Sequence, residues 1–338
     1  MDDISRAAIE RFVAAAAGAD AVTIRSAGKL SGGAVQENWF ADLDIDGGAH
    51  AGRLGCVLRC DSPTAGVAIS HGRAQEFALL KTVFAAGVTV PEPLWLCEDP
   101  AVIGRPFFLM RRIAGTAAGH VLVKDRTRGG DRVQLAERLG RELARIHSVR
   151  PPQPALDFLP AVEGSPARHR IAQHRGFLDA HHTPYPVLEW GLRWLERHAP
   201  ERGLVTLCHG DYRTGNYMVD ESGLTGILDW EFAGWSDPLE DIGWFCAKCW
   251  RFGNVAEEAG GIGKREDFYR GYEAESGRRI DRDAIHYWEV MAHMNWAVIA
   301  VQQAERHVSG EEHSLLLALT GHIVPELEHE ILTLTEAA

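Results

Sequence analysis

The sequence lacks the long apolar stretch that a membrane-spanning helix needs. No run approaches the ~20 consecutive apolar residues that cross a bilayer. The short run at residues 12–17 has neither the length nor the flanking charges of an export signal. We therefore expect a cytoplasmic protein with no membrane partner.

The sequence also lacks a disulfide pattern and a net positive charge. The six cysteines lack the spacing of a disulfide scaffold, so we expect reduced thiols. Cys246 and Cys249 form a C-x-x-C without a second pair, which a packed helix face explains better than zinc. The 16 histidines show no metal-binding spacing. The formal net charge of -12 argues against nucleic-acid binding, which needs a cationic surface.

The first third of the chain mixes strand and helix patterns. Residues 38–45 and 54–60 predict the two strands of a hairpin, because the turn-forming sequence Asp-Gly-Gly at 46–48 separates them. A helix is predicted at 73–86, and a further strand at 106–110. These elements predict a small β-rich lobe.

The remaining two thirds are dominated by helical patterns. Helices are predicted at residues 131–147, 284–307 and 311–334, with a proline-rich loop at 151–166. Pro325 should interrupt the last of these helices. Because 338 residues exceed what one hydrophobic core usually serves, we expect an α+β fold of two lobes, the second larger and helical.

One stretch within the helical part carries residues suited to chemistry. Residues 217–219 and 224–228 predict two short strands with turn-forming residues between them. A hairpin brings its two ends together, so Asn216 and Asp229 should be neighbours. Asp211 lies on the loop that leads into this hairpin.

These three residues form the set that phosphoryl transfer needs. A carboxylate accepts the proton of the attacking hydroxyl, and oxygen ligands hold Mg²⁺ against the phosphates. We assign Asp211 as the catalytic base, and Asn216 and Asp229 as metal ligands. Gly210 would keep the loop backbone compact. Alternatively, these residues cap local turns and a helix; each one alone favours that role, whereas the set and the hairpin together favour catalysis.

The motif H-G-D-x-x-x-x-N at residues 209–216, followed by L-D-W-E at 228–231, resembles the catalytic and metal loops of the aminoglycoside phosphotransferase and choline kinase family. The resemblance implies a protein-kinase-like two-lobed fold, with a nucleotide-binding lobe at residues 1–113 and a helical catalytic and substrate lobe at 114–338. It also implies ATP and Mg²⁺ as cofactors and a small-molecule alcohol as substrate.

The D-P-L-E-D sequence at residues 237–241 matches the start of a helix in the same family. Asp237 suits the N-cap, Pro238 suits the first helical position, and Glu240 completes a pattern like a capping box. We interpret this element as structural support for the catalytic loop.

The resemblance also implies a nucleotide site in the front lobe. Ser31, Gly32 and Gly33 lie where this fold places its phosphate-covering loop, although an ordinary turn explains two adjacent glycines equally well. Arg59 stands at the position of the phosphate-binding lysine, and Glu76 at that of the helix glutamate that orients it. A surface cation at a strand edge is the alternative for Arg59.

The last strand of the front lobe leads into the hinge between the lobes. By resemblance, Met110 lies behind the adenine, and the backbone of Arg111 and Ile113 meets the edge of the base. This assignment depends on main-chain groups, so side-chain identity tests it poorly.

The sequence says least about the phosphate acceptor. Eight of the ten tryptophans lie at or beyond Trp190, which suits a partly apolar alcohol, although core packing explains any one of them. The L-x-G-G, V-L-R and M-x-x-x-x-G elements resemble the branch fused to acyl-CoA dehydrogenases. That resemblance implies hydroxyacyl thioesters or related hydroxylated metabolites as acceptors.

Other functions remain open from the sequence. An aminoglycoside phosphotransferase is one alternative, and a non-catalytic nucleotide-binding regulator, suggested by arginine at position 59, is another. A protein kinase is disfavoured because only seven residues separate Asp229 from Asp237, too few for an activation segment. A monomer and a homodimer are both compatible with the sequence.

Overall fold

A computed structural model of the chain describes residues 3–30, 36–61 and 70–336. Its front part is an antiparallel sheet of five strands in the order β1-β2-β3-β5-β4, with two helices packed against it. The elements are α1 (Asp3–Ala17), β1 (Ala21–Lys29), β2 (Gln36–Asp46), β3 (Gly52–Asp61), α2 (Arg73–Ala85), β4 (Pro93–Cys97) and β5 (Phe107–Arg111).

The predicted hairpin is present as β2 and β3. Asn38 lies opposite Arg59, and Ile45 lies opposite Gly52, so the turn falls where the Asp-Gly-Gly sequence predicted it. Alternate residues of β2, namely Ala41, Leu43 and Ile45, are buried in the core of the sheet. This alternation fixes the register of the hairpin, because a slip of one residue would expose all three side chains.

The rest of the chain is mostly helical, with four short strands near its centre. The helices are α3 (Gly119–Lys124), α4 (Arg132–Ile146), α5 (Pro166–Ala180), α6 (Pro186–His198), α7 (Pro238–Cys246), α8 (Arg265–Ser276), α9 (Arg282–Val308), α10 (Leu315–Gly321) and α11 (Val324–Glu336). The strands are β6 (Thr206–Cys208), β7 (Tyr217–Val219), β8 (Leu224–Ile227) and β9 (Gly234–Ser236). The predicted α+β class is therefore confirmed.

The helices begin and end close to the predicted residues. Asp131 caps α4 by accepting a hydrogen bond from the Gln134 N–H at 2.9 Å. The helix predicted at 311–334 is two helices, α10 and α11, but the break precedes Pro325. Because Pro325 lies in the first turn of α11, where a missing N–H costs nothing, it does not interrupt that helix.

Helices α4 and α8 cross with their backbones in close contact. At Gly271, a Cβ atom would overlap the backbone carbonyl of Glu137, so the absence of a side chain allows the two backbones to touch. This contact fixes α4, which in turn holds the segment between α2 and β4. Thr89 donates its N–H and its hydroxyl to the buried carboxylate of Glu142 on α4, at 2.7 and 3.0 Å.

The five-stranded sheet ends at Arg111, and the helical part begins at Gly119. The division of the chain at residue 113 stays a prediction. Across the residues described above, no helix combines the length and apolar character needed to cross a membrane. Cys246 is the last residue of α7, and Cys249 lies in the 3-10 turn that follows. The expectation that the two cysteines lie on one helix face is therefore wrong.

Candidate active site

The candidate catalytic loop, residues 209–216, lies between β6 and the hairpin of β7 and β8. Tyr217 pairs with Ile227, and the Leu228 N–H donates to the Asn216 carbonyl at 2.8 Å. The two ends of the hairpin are therefore adjacent. Asn216 and the segment that carries Asp229 lie side by side, as the sequence predicted.

Asp211 accepts hydrogen bonds from three side chains. The Asn216 Nδ2 donates to Oδ2 at 2.6 Å, while Arg213 Nε and Trp244 Nε1 each donate to Oδ1 at 2.9 Å. The sequence placed Asp211 on the loop that leads to Asn216 but did not predict this hydrogen bond. The contacts with Arg213 and Trp244 were also not predicted. Arg213 is one of the variable positions of the H-G-D-x-x-x-x-N motif, but no local signal points to Trp244.

The surroundings of Asp211 shift its acidity. Burial raises the pKa of Asp211, the cation of Arg213 opposes that rise, and the negative charge of Asp229 adds to it. The net result is a pKa above the ordinary aspartate value. A carboxylate of raised pKa is a stronger proton acceptor than a free one, which suits a general base.

A second carboxylate holds the catalytic loop from behind. Asp241, buried on α7, accepts the backbone N–H groups of His209 at 2.7 Å and Gly210 at 3.0 Å. His147 Nε2 lies 3.1 Å from the same carboxylate. Burial alone would raise the pKa of Asp241, but His147 and the backbone donors bring it below its ordinary value.

Gly210 is required for this loop geometry. Its φ is +79°, and a Cβ atom there would overlap the Phe232 carbonyl, so any other residue would displace the chain beside Asp211.

The start of α7 supports the loop as predicted. Asp237 caps the helix by accepting the Leu239 N–H at 2.9 Å. The expected capping box is absent, because Glu240 binds Arg170 at 2.6 Å and the Ser236 hydroxyl instead. Glu240 therefore ties α7 to α5.

Asp229 is held in a rare backbone conformation. Its φ is +68°, and its Oδ1 accepts a hydrogen bond from Arg59 Nη2 at 2.9 Å. Residues other than glycine adopt this conformation at a cost that concentrates at functional sites. The other face of Arg59 pairs with Glu76, with 2.8 Å between Nε and Oε1.

Arg59 thus joins the sheet, α2 and the candidate metal loop. Burial by itself would lower the pKa of Arg59, but the charges of Glu76 and Asp229 outweigh it and hold the pKa above the ordinary value. Arg73 also pairs with Glu76, so two arginines share that buried carboxylate. Arg59 is buried, so the alternative interpretation of Arg59 as a surface cation at a strand edge is wrong.

The oxygen donors fit a hard divalent cation. Asn216 uses its Nδ2 to bind Asp211, and its Oδ1 accepts no hydrogen bond from the described part of the chain. Oδ2 of Asp229 likewise accepts none there, and that side chain is 34% exposed. One amide oxygen and one carboxylate oxygen are therefore available, which is the donor chemistry that Mg²⁺ prefers.

The nucleotide residues are only partly described. Ser31, Gly32 and Gly33 lie outside the described residues. Met110 and Arg111 lie in β5, and the Arg111 N–H donates to the Glu92 carbonyl at 2.8 Å, so it is not available to an adenine. The Ile113 N–H has no partner among the residues that the structure describes.

A two-lobed α+β fold with a buried carboxylate beside an amide oxygen and a second carboxylate is typical of kinase-like phosphotransferases. The profile of the phosphotransferase enzyme family matches residues 66–278 of this chain. The chain belongs to that family.

Similar proteins are known from sequence and from structure. Mouse acyl-CoA dehydrogenase family member 10 is 31% identical over 52% of the chain and 17% of its own length. Family member 11 of Pongo abelii is 25% identical over 83% of the chain and 37% of its own length. The chain thus spans well under half of these curated relatives.

Solved structures of similar proteins confirm the kinase-like fold. A candidate aminoglycoside phosphotransferase of Ralstonia eutropha has a TM-score of 0.76 at 21% identity, over 98% of each chain. A choline/ethanolamine kinase family protein of Mesorhizobium loti has a TM-score of 0.59 at 18% identity, over 92% of this chain and 88% of its own. Other structures with this fold were solved with GDP or ADP bound.

Proposed function

We propose that this protein is a small-molecule kinase that uses ATP and Mg²⁺ to phosphorylate a hydroxyl group. The observation that carries the proposal is the contact of Asp211 with Asn216, beside the carboxylate of Asp229. A proton acceptor and two available oxygen donors meet at one place. Family membership supports phosphoryl transfer as the reaction.

Each residue has a role in this proposal. Asp211 accepts the proton of the acceptor hydroxyl as its oxygen attacks the terminal phosphate. Asn216 and Asp229 hold the metal, which supplies charge neutralisation to the phosphates when bound. Arg59, oriented by Glu76, binds phosphate oxygens from the front lobe.

The nucleotide occupies the cleft between the lobes in this proposal. Ser31, Gly32 and Gly33 cover its phosphates, and Met110 lies behind the base. The Ile113 N–H meets the adenine edge, and Arg111 contributes its carbonyl, since its own N–H is already used.

We propose a hydroxyacyl-CoA or another partly apolar hydroxylated metabolite as the acceptor. The curated relatives carry acyl-CoA dehydrogenase names, which supports an acyl substrate. The guanidinium of Arg213 lies beside the base and disfavours a polycationic acceptor. Neighbours of the fold were solved with kanamycin or hygromycin B, so an aminoglycoside is the alternative to test.

The test is ADP release by the purified protein with hydroxyacyl-CoAs, choline-like alcohols, aminoglycosides and phenols. We expect Asp211→Asn to lower turnover by about 10²–10⁴-fold, because the proton acceptor is lost. Asp220→Asn is the matched control, since Asp220 lies in the turn of the same hairpin and binds Ser222. Full turnover by Asp211→Asn, or ADP release with none of the acceptors, would refute the proposal.

A further inference from the structure

Trp244 is the donor to Asp211 that comes from outside the catalytic loop. Its indole N–H reaches Oδ1 at 2.9 Å from α7, 33 residues further along the chain. The side chain is only 6% exposed. Its ring packs against Trp250 at 5.0 Å and Trp296 at 6.5 Å between centroids, so the indole cannot turn away.

The other two donors are less able to fix the carboxylate. Arg213 sits two residues from Asp211 on the same loop, and its long side chain is 25% exposed. Asn216 is a candidate metal ligand, so its amide has a second task. Trp244, in contrast, donates a single hydrogen bond, and the packing of its ring holds the indole N–H in place.

We propose that Trp244 is a positioning residue whose N–H sets the rotation of the Asp211 carboxylate. With Oδ1 held by the indole, the plane of the carboxylate is fixed, and with it the direction of the lone pairs that accept the proton of the acceptor hydroxyl. This inference rests on the proposed kinase function. A general base loses rate steeply when its geometry drifts, so the hydrogen bond contributes to turnover and not to nucleotide binding.

Trp250 provides a matched control within the same aromatic cluster. It is 8% exposed, against 6% for Trp244, and its buried Nε1 has no hydrogen-bond partner within the described ranges. Replacing either residue with phenylalanine removes a similar amount of packed surface. Trp250 also packs against the Arg213 guanidinium, 4.7 Å from its ring centroid, and phenylalanine keeps an aromatic ring at that position. Only Trp244→Phe removes a hydrogen bond to the base.

We expect Trp244→Phe to lower kcat by about 10- to 100-fold with KM for ATP unchanged. Trp250→Phe should retain kcat within about threefold, because by the same reasoning it leaves the base in place. Equal losses in the two variants would reduce Trp244 to a packing role and overturn the inference. A rise in KM for ATP at constant kcat would overturn it as well.

A second readout does not depend on turnover. The ten tryptophans give ten indole N–H signals in a ¹⁵N spectrum, and the signal missing from Trp244→Phe identifies Trp244. In Asp211→Asn, which keeps every tryptophan, that signal should shift more than the other nine. An unmoved Trp244 signal would overturn the inference even in a protein with kinase activity. If the wild type released no ADP but the Trp244 signal shifted, the kinase function would be refuted, and with it the role of Trp244 in turnover. The hydrogen bond between Trp244 and Asp211 would stand.

Discussion

Replacing Asp237 with asparagine should stabilise the protein in a pH-dependent way. Burial raises the pKa of Asp237 to about 6 from an ordinary 3.8; the Leu239 N–H opposes this rise and the charge of Glu240 adds to it. The folded state therefore holds this proton more tightly than the unfolded state. Stability is unaffected below pH 3.8, falls as the pH rises towards 6, and stays reduced above it.

The structure gives the size of the effect. A difference of about two pH units corresponds to about 3 kcal/mol of lost stability above pH 6. Asparagine also caps helices, so Asp237→Asn keeps the hydrogen bond from Leu239 and removes the buried charge. The lost attraction between that charge and the N-terminus of α7 offsets about 0.3–1 kcal/mol. We expect a net gain of about 2 kcal/mol at pH 8 and none at pH 4.

Thermal unfolding of the wild type and Asp237→Asn at pH 4, 6 and 8 measures this difference. The Tm of the variant should exceed that of the wild type by a few degrees at pH 8, and the gap should close at pH 4. A variant that is less stable than the wild type at pH 8 would refute the reasoning. It would mean that the capping charge outweighs the cost of burial.

Three further changes test other parts of the structure. Arg59→Lys should lower kcat/KM for ATP about tenfold, measured by ADP release, because one ammonium group cannot reproduce the fork that meets Glu76 and the metal loop. Burial lowers the pKa of His174 to about 3, so the folded state keeps this side chain neutral. The unfolded state takes up a proton as the pH falls below 6.5, and the free energy of unfolding decreases. His174→Leu should therefore abolish a loss of about 2 kcal/mol in the free energy of unfolding between pH 7.5 and pH 5; an unchanged loss would contradict this. Gly271→Ala should cost about 1–3 kcal/mol, seen as a lower urea midpoint, because the new methyl overlaps the Glu137 carbonyl; an unchanged midpoint would show that α8 can move.

Local patterns were sufficient for the centre of the candidate site. The hairpin of β7 and β8 could be predicted from its turn, and a hairpin alone makes Asn216 and the segment of Asp229 neighbours. The same reasoning located β2 and β3. In these cases the contact partners are close in sequence, so the geometry follows from a few residues.

Contacts between distant segments could not be predicted in this way. Trp244 reaches the candidate catalytic loop only because α7 packs behind it, which no short pattern shows. Asp241, in contrast, lies in the D-P-L-E-D motif that predicted structural support for this loop. Strand β1 was missed because its burial alternates only as far as Ile24. Strand β4 was not predicted because a proline, Pro93, stands at its start; a proline at the first position of an edge strand is nevertheless tolerated. The roles of the site residues stay predictions.

The two carboxylates of the candidate site contact different elements of the molecule. The Asp211 carboxylate accepts a hydrogen bond from Trp244 on α7, whereas the Asp229 carboxylate pairs with Arg59 on β3. Both aspartates lie in the helical part of the chain, so a rotation of the sheet against that part would break the pair of Arg59 with Asp229 and leave Asp211 in place. Under the proposed function, the rate should therefore depend on the angle between the sheet and the helical part, and a compound that wedges them apart would inhibit without contacting either carboxylate.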